Sequence, residues 1–223
     1  MPLRIALYDL DNTLYPHTVG LMDLINERIN LFVQERLQMD PAAAMALRHQ
    51  YFQAYGTTLA GLQKHHSLVE TEDYLNFVHD IALDLLTADS GELGAALGAL
   101  PLEKIIFTNS PREHALRVLT RMGLHDHFSR IFDIRAFEFA AKPHPNAYQV
   151  ALLALGASGE ECVLFEDTPA NLAPAKAVGM TTVLIAPEGT PLHPDADWMA
   201  TDVLAATHRI HALVSEIMAP RAG

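Results

Sequence analysis

Residues 9–14 have the sequence Asp-Leu-Asp-Asn-Thr-Leu and directly follow a short apolar run, Leu3–Tyr8. The run has the length and composition of a buried β-strand. Two carboxylates, Asp9 and Asp11, therefore stand at the C-terminal end of an early strand, and the hydroxyl of Thr13 follows them. Ligands of open α/β sheets bind at this edge, so the pair is the first candidate for a functional site.

Later segments of the chain predict the sheet to which this strand belongs. From residue 104 onward, apolar runs of strand length alternate with helical patterns, which is typical of a parallel sheet with right-handed crossovers. The first strand must join this sheet because a lone strand is not stable. We therefore predict an α/β fold, a Rossmann-like parallel sheet with helices on both faces. The later predicted strands are residues 104–107, 131–134, 162–165 and 182–185.

The segment of residues 16–90 has a helical pattern instead. Apolar residues recur at helical spacing after Val19, and Asp40 followed by Pro41 predicts the start of a second helix. Residues 57–66 are polar and contain glycine, so we interpret them as a connection.

The chain is therefore predicted to have two domains. Residues 1–15 and 91–223 form the α/β catalytic core. Residues 16–90 form an all-helical cap, inserted between the first and second strands. An insertion placed directly after Asp9 and Asp11 would cover the site like a lid.

The composition narrows the classes of partner. Of the 223 residues, 50% are hydrophobic, and the formal net charge is −12. Proteins that bind nucleic acid polymers neutralise phosphates with a basic surface, so we expect no such partner. No apolar run approaches the roughly 20 residues of a membrane span. The single cysteine, Cys162, lies in a predicted strand, and we expect a buried thiol in a reducing, cytoplasmic setting.

Polar side chains follow several of the predicted strands or precede the next helix. Because parallel strands present their C-terminal ends at one edge of a sheet, we expect these side chains to converge. The set comprises Asp9, Asp11 and Thr13, then Thr108, Asn109 and Ser110, then Lys142, and finally Glu166, Asp167, Thr168 and Asn171.

These residue types suit the transfer of a phosphoryl group. Asp9 and Asp167 offer the carboxylate oxygens that Mg²⁺ prefers. Thr108 and the amides at the start of the following helix would bind an anion, and Lys142 adds a compact positive charge. Ser110 is interpreted mainly as the cap of that helix. A carboxylate nucleophile with a divalent cation is what an aspartyl-phosphate mechanism needs.

The motifs resemble those of haloacid dehalogenase superfamily phosphatases. They are Asp-x-Asp-x-Thr at 9–13, Thr-Asn at 108–109, Lys142 followed by proline, and the Glu-Asp pair at 166–167. The helical insertion resembles the first cap class of this family. Residues 9–15, together with residues 55–62 and the His65-His66 pair, are most similar to the pyrimidine 5′-nucleotidase branch.

The resemblance implies a role for each motif. Asp9 attacks phosphorus, and Asp11 protonates the leaving oxygen and then helps to deprotonate the water that cleaves the aspartyl-phosphate. Mg²⁺ is implied on the Asp9 carboxylate, the Asp11 backbone carbonyl and Asp167. Thr108 and Asn109 are implied to hold the phosphoryl oxygens.

Lys142 is implied to offset the negative charge of Asp9 and of the phosphate. The carboxyl groups of Asp9 and Asp11 are too close for both to ionise easily. We therefore expect a raised pKa for Asp11, whose carboxyl group is not a metal ligand. Whether Glu166 or Asn171 takes part in the metal site stays open.

The substrate is expected to be a small phosphorylated molecule, and the resemblance implies a pyrimidine nucleoside 5′-monophosphate. We assign substrate specificity to Tyr55 and His66, in or beside the 57–66 connection. The alternatives are a sugar-phosphate phosphatase, a phosphoglucomutase-like enzyme, a haloacid dehalogenase and a non-enzymatic phosphate-binding protein. A dehalogenase has no use for the proton donor Asp11, and a non-enzymatic protein would not need to keep Asp9, Asp11 and Lys142.

Overall fold

A six-stranded parallel sheet forms the centre of the computed structural model, which describes residues 2–87 and 91–218. The strand order is β3-β2-β1-β4-β5-β6. The strands are β1 Ile5–Tyr8, β2 Glu103–Phe107, β3 Arg130–Phe132, β4 Cys162–Glu166, β5 Thr181–Ile185 and β6 Trp198–Ala200.

The helices connect these strands and fill the long insertion. Those of the insertion are α1 Leu21–Leu37, α2 Pro41–Tyr55, α3 Thr58–His65 and α4 Thr71–His79. Those that follow are α5 Gly91–Ala99, α6 Arg112–Met122, α7 Pro145–Leu155, α8 Leu172–Ala177 and α9 Val203–Met218. Short 3₁₀ turns lie at His17–Val19, His125–His127, Gly159–Glu161 and Pro169–Asn171.

The central strands are apolar on both sides, as expected for a parallel sheet that is covered on two faces. On one face, Tyr8 stacks on Phe165 at 4.3 Å between ring centroids, within a cluster completed by α5, α6 and α9. On the other face, Leu7 and Phe107 pack with Tyr148 of α7. The predicted fold class, a Rossmann-like parallel sheet with helices on both faces, is confirmed.

The register of the central strands brings three segments to the same edge. Tyr8 of β1 pairs with Ile106 of β2 and with Phe165 of β4. The next residue, Asp9, donates its backbone N–H to the Phe165 carbonyl at 2.9 Å. The residues that follow β1, β2 and β4 therefore emerge side by side at one end of the sheet.

Helices α1–α4 share a hydrophobic cluster of their own. Phe32 and Tyr74 meet edge to face within it, and Leu62 is fully buried there. Ile134, which follows β3, also belongs to the cluster and links it to the sheet. Asp40 caps α2 by accepting from two backbone amides at 3.0 Å each, as its sequence predicts.

The interpretation of residues 57–66 as a connection is wrong. Residues 58–65 form α3, and the Thr57 hydroxyl accepts from the Ala60 amide at 3.1 Å as its N-cap. Gln63, Lys64 and His65 of this helix are exposed, while Leu59 and Leu62 are buried. Gly61 is needed because a Cβ there would lie 2.2 Å from Cγ of Tyr51. The glycine thus marks close helix packing rather than a loop.

Other sequence expectations need smaller corrections. Residues 80–87 are not helical, so the insertion is less uniformly helical than predicted. The sequence did not predict α5 or the short edge strand β6. β3 ends at Phe132 because Asp133 turns its carboxylate to other backbone amides. Among the described residues, no helix combines the length and apolar character of a membrane span.

Candidate active site

Lys142 lies at the centre of the site and is almost completely buried. Its Nζ donates to Asp9 Oδ1 at 2.9 Å, to Glu166 Oε2 at 2.7 Å and to the Phe107 carbonyl at 2.8 Å. Burial alone would lower the pKa of Lys142, but Asp9 and Glu166 raise it above its ordinary value. The lysine therefore stays charged between two carboxylates.

Asn109 holds the backbone of Lys142. Its side-chain Oδ1 accepts from the Lys142 amide at 2.8 Å, and its Nδ2 donates to the Lys142 carbonyl at 2.9 Å. The side chain was predicted to bind phosphoryl oxygens, and here it joins the segment after β2 to the one before α7. Thr108 is buried beside it, and its hydroxyl accepts from the Ser110 amide at 3.0 Å.

Three carboxylates form a tight cluster at this edge. Oxygen atoms of Asp9, Glu166 and Asp167 all lie within 4.8 Å of one another. Burial, reinforced by Glu166, raises the pKa of Asp9 to about 7. Burial, reinforced by Asp9, raises the pKa of Asp167 to about 6. One lysine does not balance three acids, so this donor set fits a hard divalent cation such as Mg²⁺.

The role of Glu166 at this cluster is limited by its other contacts. Its Oε2 accepts from Lys142, and its Oε1 accepts from the Thr168 amide at 3.1 Å. Asp9 and Asp167, the predicted metal ligands, both lie in this cluster. Asp11 was predicted to bind the metal through its backbone carbonyl and not through its carboxylate. Accordingly, the Asp11 carboxylate does not belong to this cluster of described residues.

The Asp11 carboxylate is held by a network of its own. It accepts from the Tyr15 hydroxyl and from the Ser110 hydroxyl at 2.5 Å each, and His114 Nε2 lies 3.0 Å from its Oδ1. Burial alone would raise the pKa of Asp11, but His114, Ser110 and Tyr15 together lower it below its usual range. The expected raised pKa of Asp11 is therefore not found, because three partners stabilise the carboxylate.

Ser110 is not the cap of α6. This helix begins at Arg112, after Pro111, and it has no side-chain cap of the predicted kind. The Arg112 amide instead donates to Asp133 Oδ2 at 3.0 Å. Asp133 therefore takes the capping role, which leaves the Ser110 hydroxyl for Asp11.

Tyr15 and His114 were not singled out in the sequence. Tyr15 lies four residues after Asp11, and His114 lies four residues after Ser110, so each is close in sequence to a polar residue of the sheet edge. His114 is buried, and its Nδ1 has no hydrogen-bond partner within the described parts of the chain. The ring of His79 lies 4.9 Å away, and burial, together with His114, lowers the pKa of His79 to about 4.

A cavity of about 610 Å³ opens over these groups. Its lining from the sheet edge includes Asp9, Asp11, Thr108, Asn109, Lys142 and Asp167. Its lining from α1, α2 and α4 includes Ile25, Asn26, Arg48, Phe52, Leu75 and His79. The inserted helices and the sheet edge thus bound one space.

The residues predicted to set specificity lie elsewhere. Neither Tyr55 nor His66 lines this cavity. The Tyr55 hydroxyl is 2.7 Å from His65 Nε2, and the Tyr51 hydroxyl is 2.8 Å from His66 Nε2. The prediction that Tyr55 and His66 set specificity disagrees with this placement, because Tyr55 at the end of α2 and His66 at the end of α3 make contacts between these two helices instead.

The sequence matches the model of haloacid dehalogenase-like hydrolases over residues 3–179. The chain belongs to this family. It is 27% identical over 198 residues to phosphate metabolism protein 8 of Saccharomyces cerevisiae, a match that covers 81% of this chain but 61% of the yeast protein, less than two thirds of its length. It is 29% identical over 197 residues to phosphoglycolate phosphatase of Rhodospirillum rubrum, covering 82% of this chain and 79% of that protein.

Solved structures agree with the fold of this haloacid dehalogenase-like hydrolase. The crystal structure of CbbY from Rhodobacter sphaeroides in complex with phosphate superposes with a TM-score of 0.63 at 17% identity, over 91% of this chain and 95% of that chain. At this identity the likeness shows the fold alone. The chain is thus a hydrolase of this family with phosphatase relatives.

Proposed function

We propose that the protein is a Mg²⁺-dependent phosphomonoester hydrolase that works through an aspartyl-phosphate on Asp9. The observation that carries this proposal is the contact of Lys142 with Asp9 and Glu166, beside Asp167 and the separately held Asp11. A nucleophile, a counter-charge, a set of cation ligands and an acid/base group are then present at one sheet edge.

The chemistry follows from these positions. An Asp9 oxygen attacks phosphorus, and the bond from phosphorus to the leaving oxygen breaks. As the substrate binds, the negative charge of the phosphoryl group favours the protonated form of Asp11, which takes up one proton from solvent. Asp11 gives this proton to the leaving oxygen. Asp11 then takes a proton from the water that attacks the aspartyl-phosphate, which releases phosphate and restores Asp9.

Asp9 and Asp167 would hold the cation, together with the Asp11 backbone carbonyl. A bound Mg²⁺ would offset the charge of the phosphoryl oxygens. Lys142 stays protonated throughout and keeps the second Asp9 oxygen in place. The Thr108 hydroxyl would bind a phosphoryl oxygen, whereas the first amide of α6, that of Arg112, already donates to Asp133.

We further propose a cytoplasmic enzyme whose helices α1–α4 act as a cap and whose substrates are nucleoside 5′-monophosphates, pyrimidine nucleotides first. The likeness of residues 9–15 to the pyrimidine 5′-nucleotidase branch supports the substrate. The cavity of about 610 Å³ supports it too, since proteins bind drug-sized ligands in cavities of roughly 300–1,000 Å³. The buried free thiol of Cys162 supports the location.

A second candidate substrate is a small phosphate ester that bears a carboxylate. It is favoured by the relative named phosphoglycolate phosphatase and by the cationic side chain of Arg48 in the cavity lining. The hydrogen bonds that hold Asp11 support a phosphatase over a dehalogenase, because a dehalogenase does not need this proton donor.

The test is phosphate release from p-nitrophenyl phosphate and from uridine 5′-monophosphate. We expect turnover with Mg²⁺, its loss with EDTA, its return with added Mg²⁺, and no turnover by Asp9→Asn. Asp126→Asn is the matched control, because Asp126 is a fully exposed acid that pairs with His125 away from the cavity. Activity in Asp9→Asn equal to that of the control would refute the mechanism.

A further inference from the structure

Two side chains of α2 differ in character from the rest of the cavity lining. Arg48 and Phe52 lie one helical turn apart on α2, and both line the cavity that contains Asp9. Residues four apart lie on the same face of a helix. The inserted helices therefore present a cation and an aromatic ring together to the space above the reacting groups.

Arg48 is a partly buried cation with neutral partners. Its guanidinium donates to the Asn26 carbonyl at 3.1 Å, to the Asn26 side-chain oxygen, and to the Asn30 side-chain oxygen at 3.2 Å. Among the described residues it forms no ion pair, although the chain carries an excess of acids. Such a charge is costly to desolvate, and its remaining N–H groups favour a ligand with an exposed oxygen acceptor.

Phe52 is unusually exposed for a residue of the cavity lining. Its side chain is 59% exposed, whereas Ile25, Leu59 and Leu75 of the same lining are buried. An exposed aromatic ring gains contact area when a flat group stacks on it. The ring is thus suited to a planar ligand rather than to a short aliphatic one.

We propose that Arg48 and Phe52 are the specificity-determining residues, and that they recognise phosphate esters whose leaving group carries a planar, carbonyl-bearing ring such as a nucleobase. Phe52 stacks on the ring, and Arg48 donates to a ring carbonyl oxygen. The guanidinium is held for this purpose by Asn26 and Asn30. This assignment rests on the proposed function and names which side chains select the substrate.

The experiment compares esters that differ in the recognised group. Uridine 5′-monophosphate has the ring, ribose 5-phosphate lacks it, and phosphoglycolate has a carboxylate instead. The variants are Phe52→Ala, Phe52→Tyr, Arg48→Gln and Arg48→Lys. Met45→Ala is the control for Phe52, because Met45 is a comparably exposed apolar residue of α2 (58%) that does not line the cavity.

We expect Phe52→Ala to raise KM for uridine 5′-monophosphate roughly 10-fold, since the base loses the aromatic ring on which it stacks. KM for ribose 5-phosphate should not change, and Phe52→Tyr should restore the difference between the two esters. Arg48→Gln should also raise KM for the nucleotide selectively. Arg48→Lys should recover little, because an ammonium group lacks the planar fork of donors.

Binding to the Asp9→Asn protein separates this proposal from the proposed function. Calorimetric titration of that protein, with and without Phe52→Ala or Arg48→Gln, measures base recognition without turnover. If binding depends on the base but the parent protein, with Asp9 intact, turns over none of the esters, the hydrolase function is refuted and the base-recognition proposal stands. Equal losses on uridine 5′-monophosphate and ribose 5-phosphate would overturn the base-recognition proposal, and so would a loss by Arg48→Gln confined to phosphoglycolate.

Discussion

The two sides of the cavity are built by different means. At the sheet edge, the side chains of Lys142 and Asp11 each make three polar contacts within the protein, and Asp9, Lys142 and Glu166 are buried. On the helical side, Arg48 is held by neutral oxygens and Phe52 is open to solvent. The first arrangement fixes atoms before any ligand arrives. The second keeps free donors and free surface, which suits recognition of the part of a substrate that varies.

The largest expected effect tests the fixed side. Lys142→Met should abolish phosphatase activity and lower the free energy of unfolding by about 3–5 kcal/mol, since two buried carboxylates lose their shared partner. Urea unfolding and p-nitrophenyl phosphate hydrolysis measure the two effects. The control is Lys176→Met, whose partly exposed ion pair with Asp197 at 2.9 Å should contribute about 1 kcal/mol or less. Equal stability of the two variants would contradict a structural role for Lys142.

The next effect separates the two acids of the opening stretch. Asp11→Asn should slow phosphoryl transfer from uridine 5′-monophosphate roughly 10²–10⁴-fold, because the nucleoside leaves as a strong base unless it is protonated. p-Nitrophenolate is a weak base and needs no such proton. Rapid mixing should therefore show a burst of p-nitrophenolate equal to the enzyme concentration, followed by slow turnover. The absence of a burst, with both substrates slowed alike, would remove Asp11 from the acid role.

A smaller effect concerns a residue that acts through Asp11. His114→Ala should lower kcat roughly 10-fold with KM unchanged, since a hydrogen bond to a charged group contributes about 1.5–3 kcal/mol. His114→Gln should recover part of kcat, because its amide nitrogen can reach Asp11. His125→Ala, a change at an exposed histidine, is the control. If Gln and Ala lower kcat equally, His114 only fills space.

The smallest effect tests the boundary of the recognition surface. Tyr55→Phe removes a hydroxyl that contacts His65 outside the cavity. We expect kcat/KM for uridine 5′-monophosphate to stay within about twofold of the parent, as for most surface substitutions. Steady-state kinetics beside Phe52→Ala is the measurement. A change of substrate preference as large as that of Phe52→Ala would mean that residues near α3, and not Phe52 alone, determine specificity.

The sequence could predict the sheet edge because strand ends are local features. Asp9, Thr108, Lys142 and Asp167 each follow an apolar run or precede a helix start, and parallel topology brings such points together. The position of a residue along the chain was then enough to place it in space. This explains why the convergence expected from sequence agrees with the structure there.

The features that the sequence did not predict depend on how side chains pack, and the spacing of residues along the chain does not determine this packing. Residues 57–66 contain enough polar side chains to resemble a loop, yet one buried face and Gly61 against Tyr51 make them a helix. Contacts between α2 and α3 hold Tyr55 and His66 outside the cavity. Ser110 matched a capping pattern, but Asp133, distant in sequence, took that role. His114 could be recognised as a site residue only from the structure, in which α6 places it against Asp11.

The paired bonds between Asn109 and Lys142 explain a residue choice at the sheet edge. A neighbouring strand normally satisfies a backbone N–H and C=O with its own peptide group. Here the side-chain amide of Asn109 does so, and therefore acts as a peptide mimic where no strand runs. Aspartate has no donor and leucine has neither group, so the architecture itself requires an asparagine there, whatever binds above it.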